Sequence, residues 1–334
     1  MDWTGLPKVE LHLHLDCSLS YALVSRIDPS ITLEEYRTDF IAPAKCTNLV
    51  DFLARVPKSL ALMQTKEQLR LVTLDLFEQL VADNLLYAEI RFAPLLHTEQ
   101  GLSAREVVAS VEAATAQAVS STGIEARLIL CTLRHYSEAQ SLKTVQLVQD
   151  FCGTYVAGFD LASDESYPVD AHVPAFQVAR EQGIPCTAHA GEARGPDSVW
   201  ETLHGLAPSR IGHGVQSIKD PVLLDHLRQH QIHLEVCPSC NVQTDVYETY
   251  ADHPIDALAR AGLSVGVNTD TRGIGNITLS QEYAKLHRTF GWDTQDFFHC
   301  NRNALKAAFV PDNVRSKLLA RLVDGYQLGR GNSS

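Results

Sequence analysis

Basic residues are scarce in this chain. Its 334 residues include 28 Lys and Arg against 40 Asp and Glu, which gives a formal net charge of −12 with the histidines counted as neutral. Proteins bind a nucleic-acid backbone by neutralising its phosphates with Lys and Arg, and anionic membranes attract basic runs in the same way. The sequence has no such run. We therefore expect no nucleic-acid partner and no membrane partner.

Long apolar runs and cysteine frameworks are also missing. No stretch reaches the roughly 18 apolar residues that would predict a membrane span, and residues 1–7 lack the basic and apolar regions of a signal peptide. The eight cysteines show no framework spacing, so we expect reduced thiols in a cytoplasmic protein. With 45% hydrophobic and 20% charged residues, the composition excludes a disordered chain.

Short apolar runs alternate with helical patterns along the whole chain. The runs have strand length and occupy residues 9–15, 85–92, 126–133, 155–161, 184–190, 210–213, 232–237 and 263–268. Their continuous apolarity favours strands that are buried on both faces, as in a parallel sheet. Eight strands alternating with helices predict an α/β fold, a (β/α)8 TIM barrel, with a doubly wound sheet as the alternative.

The length of the chain bears on its domain organisation. Chain length alone predicts about two domains, but α/β barrels of more than about 250 residues fold as a single domain. We predict one domain over residues 1–334. The extra length falls at about residues 18–65, directly after strand 1, where a helical insert could form a lid over the catalytic end of a barrel.

Histidine and carboxylate side chains mark the ends of several predicted strands. His12 and His14 are two residues apart in strand 1, so their side chains share a face. His189 ends strand 5, His213 ends strand 6, and Asp270 follows strand 8. Each residue alone is more often structural or a helix cap, but in a barrel all five would converge on one mouth.

Such a group predicts metal-assisted hydrolysis. Three or four nitrogen and oxygen ligands without sulfur suit Zn²⁺ or a similar divalent metal with one position open for water. A metal lowers the pKa of its water to about 7, which generates a nucleophile at neutral pH. Glu192, three residues beyond His189, could serve as the proton donor to the substrate.

Two other patterns are weaker. Residues 262–266 match G-x-S-x-G, but they lie inside a predicted strand and not on a strand-to-helix turn. Cys237 and Cys240 form a C-x-x-C without a second pair, so a structural zinc site is disfavoured. The role of these two cysteines and of Cys17, like the oligomeric state, is left open by the sequence.

The chain resembles the adenosine deaminase family in five motifs that occur in the family's order and approximate spacing. The motifs are PKVELHLHLD at residues 7–16, GFDLA at 158–162, HAGE at 189–192, GHG at 212–214 and NTD at 268–270. The likeness covers nearly the whole chain and extends to NRNALKAAF at 301–309. The resemblance implies a metal-dependent barrel that hydrolyses the 6-amino group of a purine nucleoside.

The resemblance also implies roles for individual residues. It implies that the metal ligands are His12, His14, His189 and Asp270. It implies that His213 orients the water and that Glu192 protonates purine N1. Asp16 with His14 would contact the ribose 5′-hydroxyl, and Leu53 and Val56 would form an apolar gate. Asp270 can in addition accept the proton of the water. The implied cofactor is one Zn²⁺ per chain, with another divalent metal as an alternative.

Three positions depart from the family's pattern. Cys17 stands where Gly is usual, and Ser163 stands where a Gly commonly offers its backbone to purine N3. Thr271 follows Asp270 where many members have a second Asp that holds N7. These departures leave the preference among adenine compounds open.

Three hypotheses follow for the function. The first is deamination of adenosine and 2′-deoxyadenosine, a small-molecule purine nucleoside reaction. The second is deamination of another aminopurine, such as adenine, an N6-substituted adenine or a modified nucleoside. The third is a catalytically silent binding protein, which the complete set of metal and catalytic residues argues against.

Overall fold

Eight parallel strands form the centre of the molecule. In the computed structural model, which describes residues 2–331, the strands are β1 (Lys8–His14), β2 (Leu85–Phe92), β3 (Glu125–Leu133), β4 (Val156–Ala162), β5 (Cys186–Ala190), β6 (Arg210–His213), β7 (His233–Val236) and β8 (Val265–Val267). Each strand pairs in parallel with the next one along the chain. The predicted TIM barrel is confirmed.

Helices connect the strands and cover the barrel. Within residues 2–331 they are α1 (Tyr21–Ile27), α2 (Leu33–Asp39), α3 (Leu49–Leu53), α4 (Val56–Ala61), α5 (Lys66–Ala82), α6 (Ala104–Thr122), α7 (Glu138–Asp150), α8 (Val173–Glu181), α9 (Pro196–Leu206), α10 (Pro221–Gln229), α11 (Pro238–Gln243), α12 (Ile255–Arg260), α13 (Leu279–Phe290), α14 (Thr294–Ala307) and α15 (Asp312–Gly331). Their apolar faces pack on the strands, and every residue of β2 is buried.

The helical insert after strand 1 is present. Helices α1 to α4 lie between β1 and α5, and three of them begin with a side-chain cap from Ser20, Thr32 or Asn48 that accepts a backbone amide of the first turn. Thr65 and Gln68 then form a reciprocal capping box at the start of α5. The insert's position directly after β1 brings it to the carboxyl ends of the strands.

The seam between β8 and β1 closes the barrel with few ladder bonds. Strand β8 has three residues, and the two ends meet through a single parallel bridge between Leu13 and Asp270. Oδ1 of Asn268 accepts the backbone amides of Leu11 (2.8 Å) and His12 (3.1 Å). A side chain thus replaces ladder bonds that the short β8 does not supply.

Among residues 2–331, none of the helices combines the length and the hydropathy needed to traverse a lipid bilayer.

Replacing the seam asparagine tests this account of barrel closure. We expect Asn268→Ala to lower the free energy of unfolding of the metal-free protein by about 2–4 kcal/mol, because two buried amides lose their acceptor. Urea denaturation measures the loss, and the exposed Asn313→Ala on α15 is the control, with an expected change below about 0.5 kcal/mol. Equal stabilities for the two variants would contradict the role of Asn268.

Candidate functional site

Four side chains meet at the carboxyl-terminal mouth of the barrel. His12 and His14 leave β1 on the same face, His189 lies on β5, and Asp270 follows β8. The Nε2 atoms of His12 and His14 lie 3.3 and 3.4 Å from Oδ1 of Asp270. The Nε2 atoms of His14 and His189 are 3.3 Å apart. Ring nitrogens of the three histidines lie within 4.8 Å of one another around a shared point, and Oδ1 of Asp270 lies beside two of them.

The chemistry of these side chains and the spacing of three of the atom pairs fit a divalent metal. Zinc–nitrogen distances are about 2.0–2.1 Å, so ligand atoms at the corners of a tetrahedron lie about 3.3–3.4 Å apart, as the pairs His12–Asp270, His14–Asp270 and His14–His189 do. Nε2 of His12 is buried and has no hydrogen-bond partner among the described residues. Leaving a buried polar atom unpaired is costly, and a cation at the shared point would remove that cost. The set contains no sulfur, as Zn²⁺ sites with an open position often show.

Hydrogen bonds behind two of the rings determine which nitrogen is free. Nδ1 of His12 lies 2.9 Å from Oε2 of Glu235, and Nδ1 of His189 lies 3.0 Å from the carbonyl oxygen of Leu161. A carbonyl oxygen only accepts. Glu235 is ionised because two adjacent arginines, acting against the effect of burial, hold its pKa well below the usual range. Both Nδ1 atoms therefore carry the proton, and both Nε2 lone pairs face the shared point.

His213 and Glu192 lie beside this cluster and share one partner. Nε2 of His213 is 3.5 Å from Oε2 of Glu192. The side-chain amide of Asn241 donates to Nδ1 of His213 (3.1 Å) and to Oε1 of Glu192 (3.4 Å). Burial and the nearby His12 hold the pKa of His213 well below its usual value. His213 is therefore neutral, with its proton on Nε2 and directed toward the site.

Glu192 is held in a position and a protonation state suited to an acid. The turn after β5 is fixed by Glu165, whose carboxylate accepts the backbone amides of Glu192 (3.1 Å), Ala193 (3.1 Å) and Arg194 (2.7 Å). Burial, with the negative charges of Asp270 and Glu165 nearby, raises the pKa of Glu192 well above its usual range. The carboxyl group can therefore hold a proton at neutral pH and donate it.

A narrow cavity with about 50 Å³ of space for water-sized molecules opens onto these groups. It is lined by His14, Cys17, Leu49, Phe52, Leu53, Ser163, His189, Glu192, His213, Asp270 and Thr271. One wall is apolar because helix α3 of the insert covers it. The hydroxyl oxygen of Thr271 is buried and has no hydrogen-bond partner within residues 2–331, which leaves it available to a ligand.

Asp16 and Val56 lie just outside this lining. The Asp16 carboxylate is 5% exposed, accepts the thiol of Cys17 (3.6 Å), and lies 3.9 Å from Nδ1 of His14. Burial raises its pKa to about 6. Val56 packs with Leu53 against a small buried cluster that includes Phe52.

The backbone at the mouth is strained. Ser163 (φ 84°), His213 (φ 61°) and Asp270 (φ 65°) all adopt left-handed conformations, which residues with a side chain rarely do. All three follow or end a strand and face the cavity. Strain of this kind is tolerated where a fold aims side chains at a functional point.

The structure adds residues that sequence reasoning missed. Glu235 and Asp160 contact the two ring nitrogens behind His12 and His189, Asn241 bridges His213 and Glu192, and the Cys240 thiol donates to Oδ2 of Asp270 (2.8 Å). A carboxylate inside an otherwise apolar strand, as in β4 and β7, is the signal that could have found the first two. All eight cysteines belong to the described part of the chain and are free thiols.

Comparisons with known proteins agree with this arrangement. The family described as adenosine deaminase matches residues 7–325. The adenosine deaminase of Clostridium acetobutylicum is 34% identical over 326 residues, which cover 95% of this chain and 97% of that protein. The adenosine deaminase of Enterococcus faecalis is 35% identical over 326 residues and 96% of both chains.

A solved structure is similar over the same extent. The adenine deaminase of Arthrobacter aurescens superposes with a TM-score of 0.88 at 27% identity, covering 96% of this chain and 98% of that one. The names of the relatives therefore include both a nucleoside and a free base as the substrate.

The protonation of Glu192 has a measurable effect on stability. Because its pKa is raised in the folded protein, the folded state holds the proton more tightly than the unfolded state, so stability falls as pH rises above the usual glutamate range. We expect metal-free Glu192→Gln to melt at a higher temperature than the unmodified protein at pH 8, with the difference shrinking toward pH 5. Thermal melts across this range test it, with the exposed Glu99→Gln as the control. A difference that does not vary with pH would contradict the assignment.

Proposed function

The chain belongs to the adenosine deaminase family, and from this starting point we propose that it hydrolyses adenosine and 2′-deoxyadenosine to inosine or 2′-deoxyinosine and ammonia. The observation that carries the proposal is the buried Glu192, whose pKa is raised by burial, beside three clustered histidines and Asp270 at one cavity. The curated relatives are named for adenosine, which supports the nucleoside over the free base.

His12, His14, His189 and Asp270 would hold one Zn²⁺ per chain. When bound, the ion supplies Lewis acidity, which brings the pKa of a water molecule to about 7. The two protonated Nδ1 atoms behind His12 and His189 keep both rings turned toward the ion.

The protein side chains then move the protons of the reaction. Glu192 donates its proton to N1 of the purine, which breaks the aromaticity of the ring and makes C6 electrophilic. The Asp270 carboxylate accepts a proton from the attacking water, and the Nε2–H of His213 stabilises charge that develops on its oxygen. The oxygen of the water bonds to C6. Asp270 then passes the proton it accepted to the amino group, the C6–N6 bond breaks with release of ammonia, and the remaining hydroxyl proton returns to Glu192 as the carbonyl forms at C6.

Other residues of the cavity would orient the purine. The unpartnered hydroxyl of Thr271 would donate to N7, and the left-handed backbone at Ser163 would bring an amide toward N3. Leu53, with Val56 behind it, would cover the ring. Asp16 would accept the ribose 5′-hydroxyl together with His14.

Free adenine is the second candidate substrate. Asp16 is buried and accepts the Cys17 thiol, while Cys17 itself lines the cavity where the sugar would pass. The similar solved structure is an adenine deaminase. These two observations favour a site that accommodates a base without a sugar.

The first test concerns Glu192. We expect Glu192→Gln to lower kcat for adenosine by a factor of about 10²–10⁴, because the amide cannot protonate N1. Its metal content, measured by elemental analysis of the same sample, should equal that of the unmodified protein. A variant that retains its kcat, or that loses its metal, would contradict the proposed role.

The second test is a substrate panel with the Asp16 variant. Release of ammonia should be followed with adenosine, 2′-deoxyadenosine, adenine and N6-methyladenosine. We expect adenosine to have the highest kcat/KM, and Asp16→Asn to lower it about 10- to 100-fold through the lost contact with the ribose, while turnover of adenine is unchanged. If adenine exceeds adenosine and Asp16→Asn affects both equally, the free base is the substrate.

A further inference from the structure

Arg91 crosses the interior of the barrel beneath the candidate metal cluster. It lies on β2 and is completely buried. Its guanidinium reaches the opposite wall, where Nη1 donates to Oδ2 of Asp160 on β4 (2.9 Å) and Nη2 donates to Oε2 of Glu235 on β7 (2.6 Å). The mechanism proposed above makes no use of this side chain.

Both carboxylates bound by Arg91 contact a histidine of the cluster. The Glu235 oxygen that receives Nη2 of Arg91 also lies 2.9 Å from Nδ1 of His12. The Asp160 carboxylate lies 3.3 Å from Nδ1 of His189. One guanidinium group is therefore connected to two rings on different strands through one carboxylate each.

We propose that Arg91 is a positioning residue that fixes the orientation of His12 and His189 together, through Glu235 and Asp160, and so sets the affinity of the site for a divalent metal. This inference rests on the proposed metal site. It adds that the rings are not held independently: a shift of the guanidinium displaces both carboxylates, and with them both Nε2 atoms.

The chemistry of the side chain supports an arginine at this position. A planar guanidinium presents donors in a rigid fork and can hold two carboxylates at a fixed separation, whereas the ammonium of a lysine is a single point charge. Arg91 also donates to the carbonyl oxygen of Leu11, the residue before His12, so it fixes the backbone of β1 as well as the carboxylates.

Arg210 offers a matched control inside the same barrel. It is equally buried and pairs with Glu235, but through the other oxygen, Oε1 (2.7 Å), and its second partner is Glu89 (2.5 Å). Neither of these contacts involves an atom that touches a metal-site histidine. Substituting Arg210 therefore reproduces the loss of a buried ion pair without releasing both rings.

The test compares Arg91→Lys with Arg210→Lys. Zinc affinity is measured by competition with a chromophoric chelator on folded, metal-free protein, and melting temperature is measured on the same samples. We expect both variants to melt at lower temperature, but only Arg91→Lys to bind zinc about 10- to 100-fold more weakly, while Arg210→Lys stays within about threefold of the unmodified protein. Unchanged zinc affinity in Arg91→Lys, or an equal loss in both variants, would overturn the proposal.

A second measurement keeps the inference separate from the proposed function. Nitrogen-15 NMR of the metal-free protein reports which nitrogen of each imidazole carries the proton. We expect His12 to hold it on Nδ1 in the unmodified protein and in Arg210→Lys, and to become a tautomeric mixture in Arg91→Lys, whereas His189 keeps it on Nδ1 throughout because the carbonyl oxygen of Leu161 still accepts it. Unmodified protein that binds no zinc would contradict the proposed metal site, whereas identical tautomers in all three proteins would contradict the role of Arg91.

A charge-balanced variant covers the case in which Arg91→Lys does not fold. Arg91→Gln combined with Asp160→Asn removes one positive and one negative buried charge together. We expect the same weakening of zinc binding, because the connection between the two rings is broken. Zinc affinity equal to that of the unmodified protein would overturn the proposal here too.

Discussion

An imidazole offers a free nitrogen to a metal only while its other ring nitrogen keeps its proton, and the interior of this barrel meets that requirement twice. His12 donates to a carboxylate and His189 to a carbonyl oxygen and a carboxylate, all supplied by strands on the far side of each ring. The two carboxylates are in turn held by the buried guanidinium of Arg91. The mouth of the barrel can thus present nitrogen lone pairs because the layer beneath it holds charges.

Burying the charges of that layer lowers the stability of the fold. Carboxylates and guanidinium groups have been taken out of water, and an apolar barrel core of the same volume would often be equally stable or more stable. The charges are tolerated because almost every one has a partner with good geometry. The Glu235 carboxylate, for example, is paired with Arg91 and Arg210 and accepts hydrogen bonds from Thr187 and His12. Left-handed backbone at Ser163, His213 and Asp270 is a second cost at the same end of the barrel. The buried charges and the left-handed backbone both lower the stability of the fold. Both lie at the end of the barrel where ligand atoms must be oriented, which is where a function would require them.

The strands and their order were predictable from the sequence because burial on both faces leaves an uninterrupted apolar run. The largest difference in length is at β8, predicted at 263–268 and observed as Val265–Val267, where the side chain of Asn268 replaces part of the ladder at the seam. The convergence of His12, His14, His189 and Asp270 followed from barrel topology. Arg91 could not be foreseen, because periodicity does not reveal which strand on the opposite wall a buried charge will reach.

Other expectations keep the status of predictions. The one-domain organisation, the cytoplasmic location and the roles of the individual site residues are of this kind. Asn241 illustrates why the site could not be completed from the sequence: it directly follows the C-x-x-C pattern, and only the folding of α11 brings its amide between His213 and Glu192.

Asp270 belongs to the site and to the seam at once. Its backbone amide donates to the carbonyl oxygen of His12, its carbonyl oxygen accepts the amide of His14, and its carboxylate faces the ring nitrogens of the same two residues. A cation bound by these side chains would link β1 to the residue after β8, across a seam that has few ladder hydrogen bonds. Opening of the seam and release of the ion would then be coupled. Each tenfold rise of the free ion above its dissociation constant would raise the free energy of unfolding by about 1.4 kcal/mol.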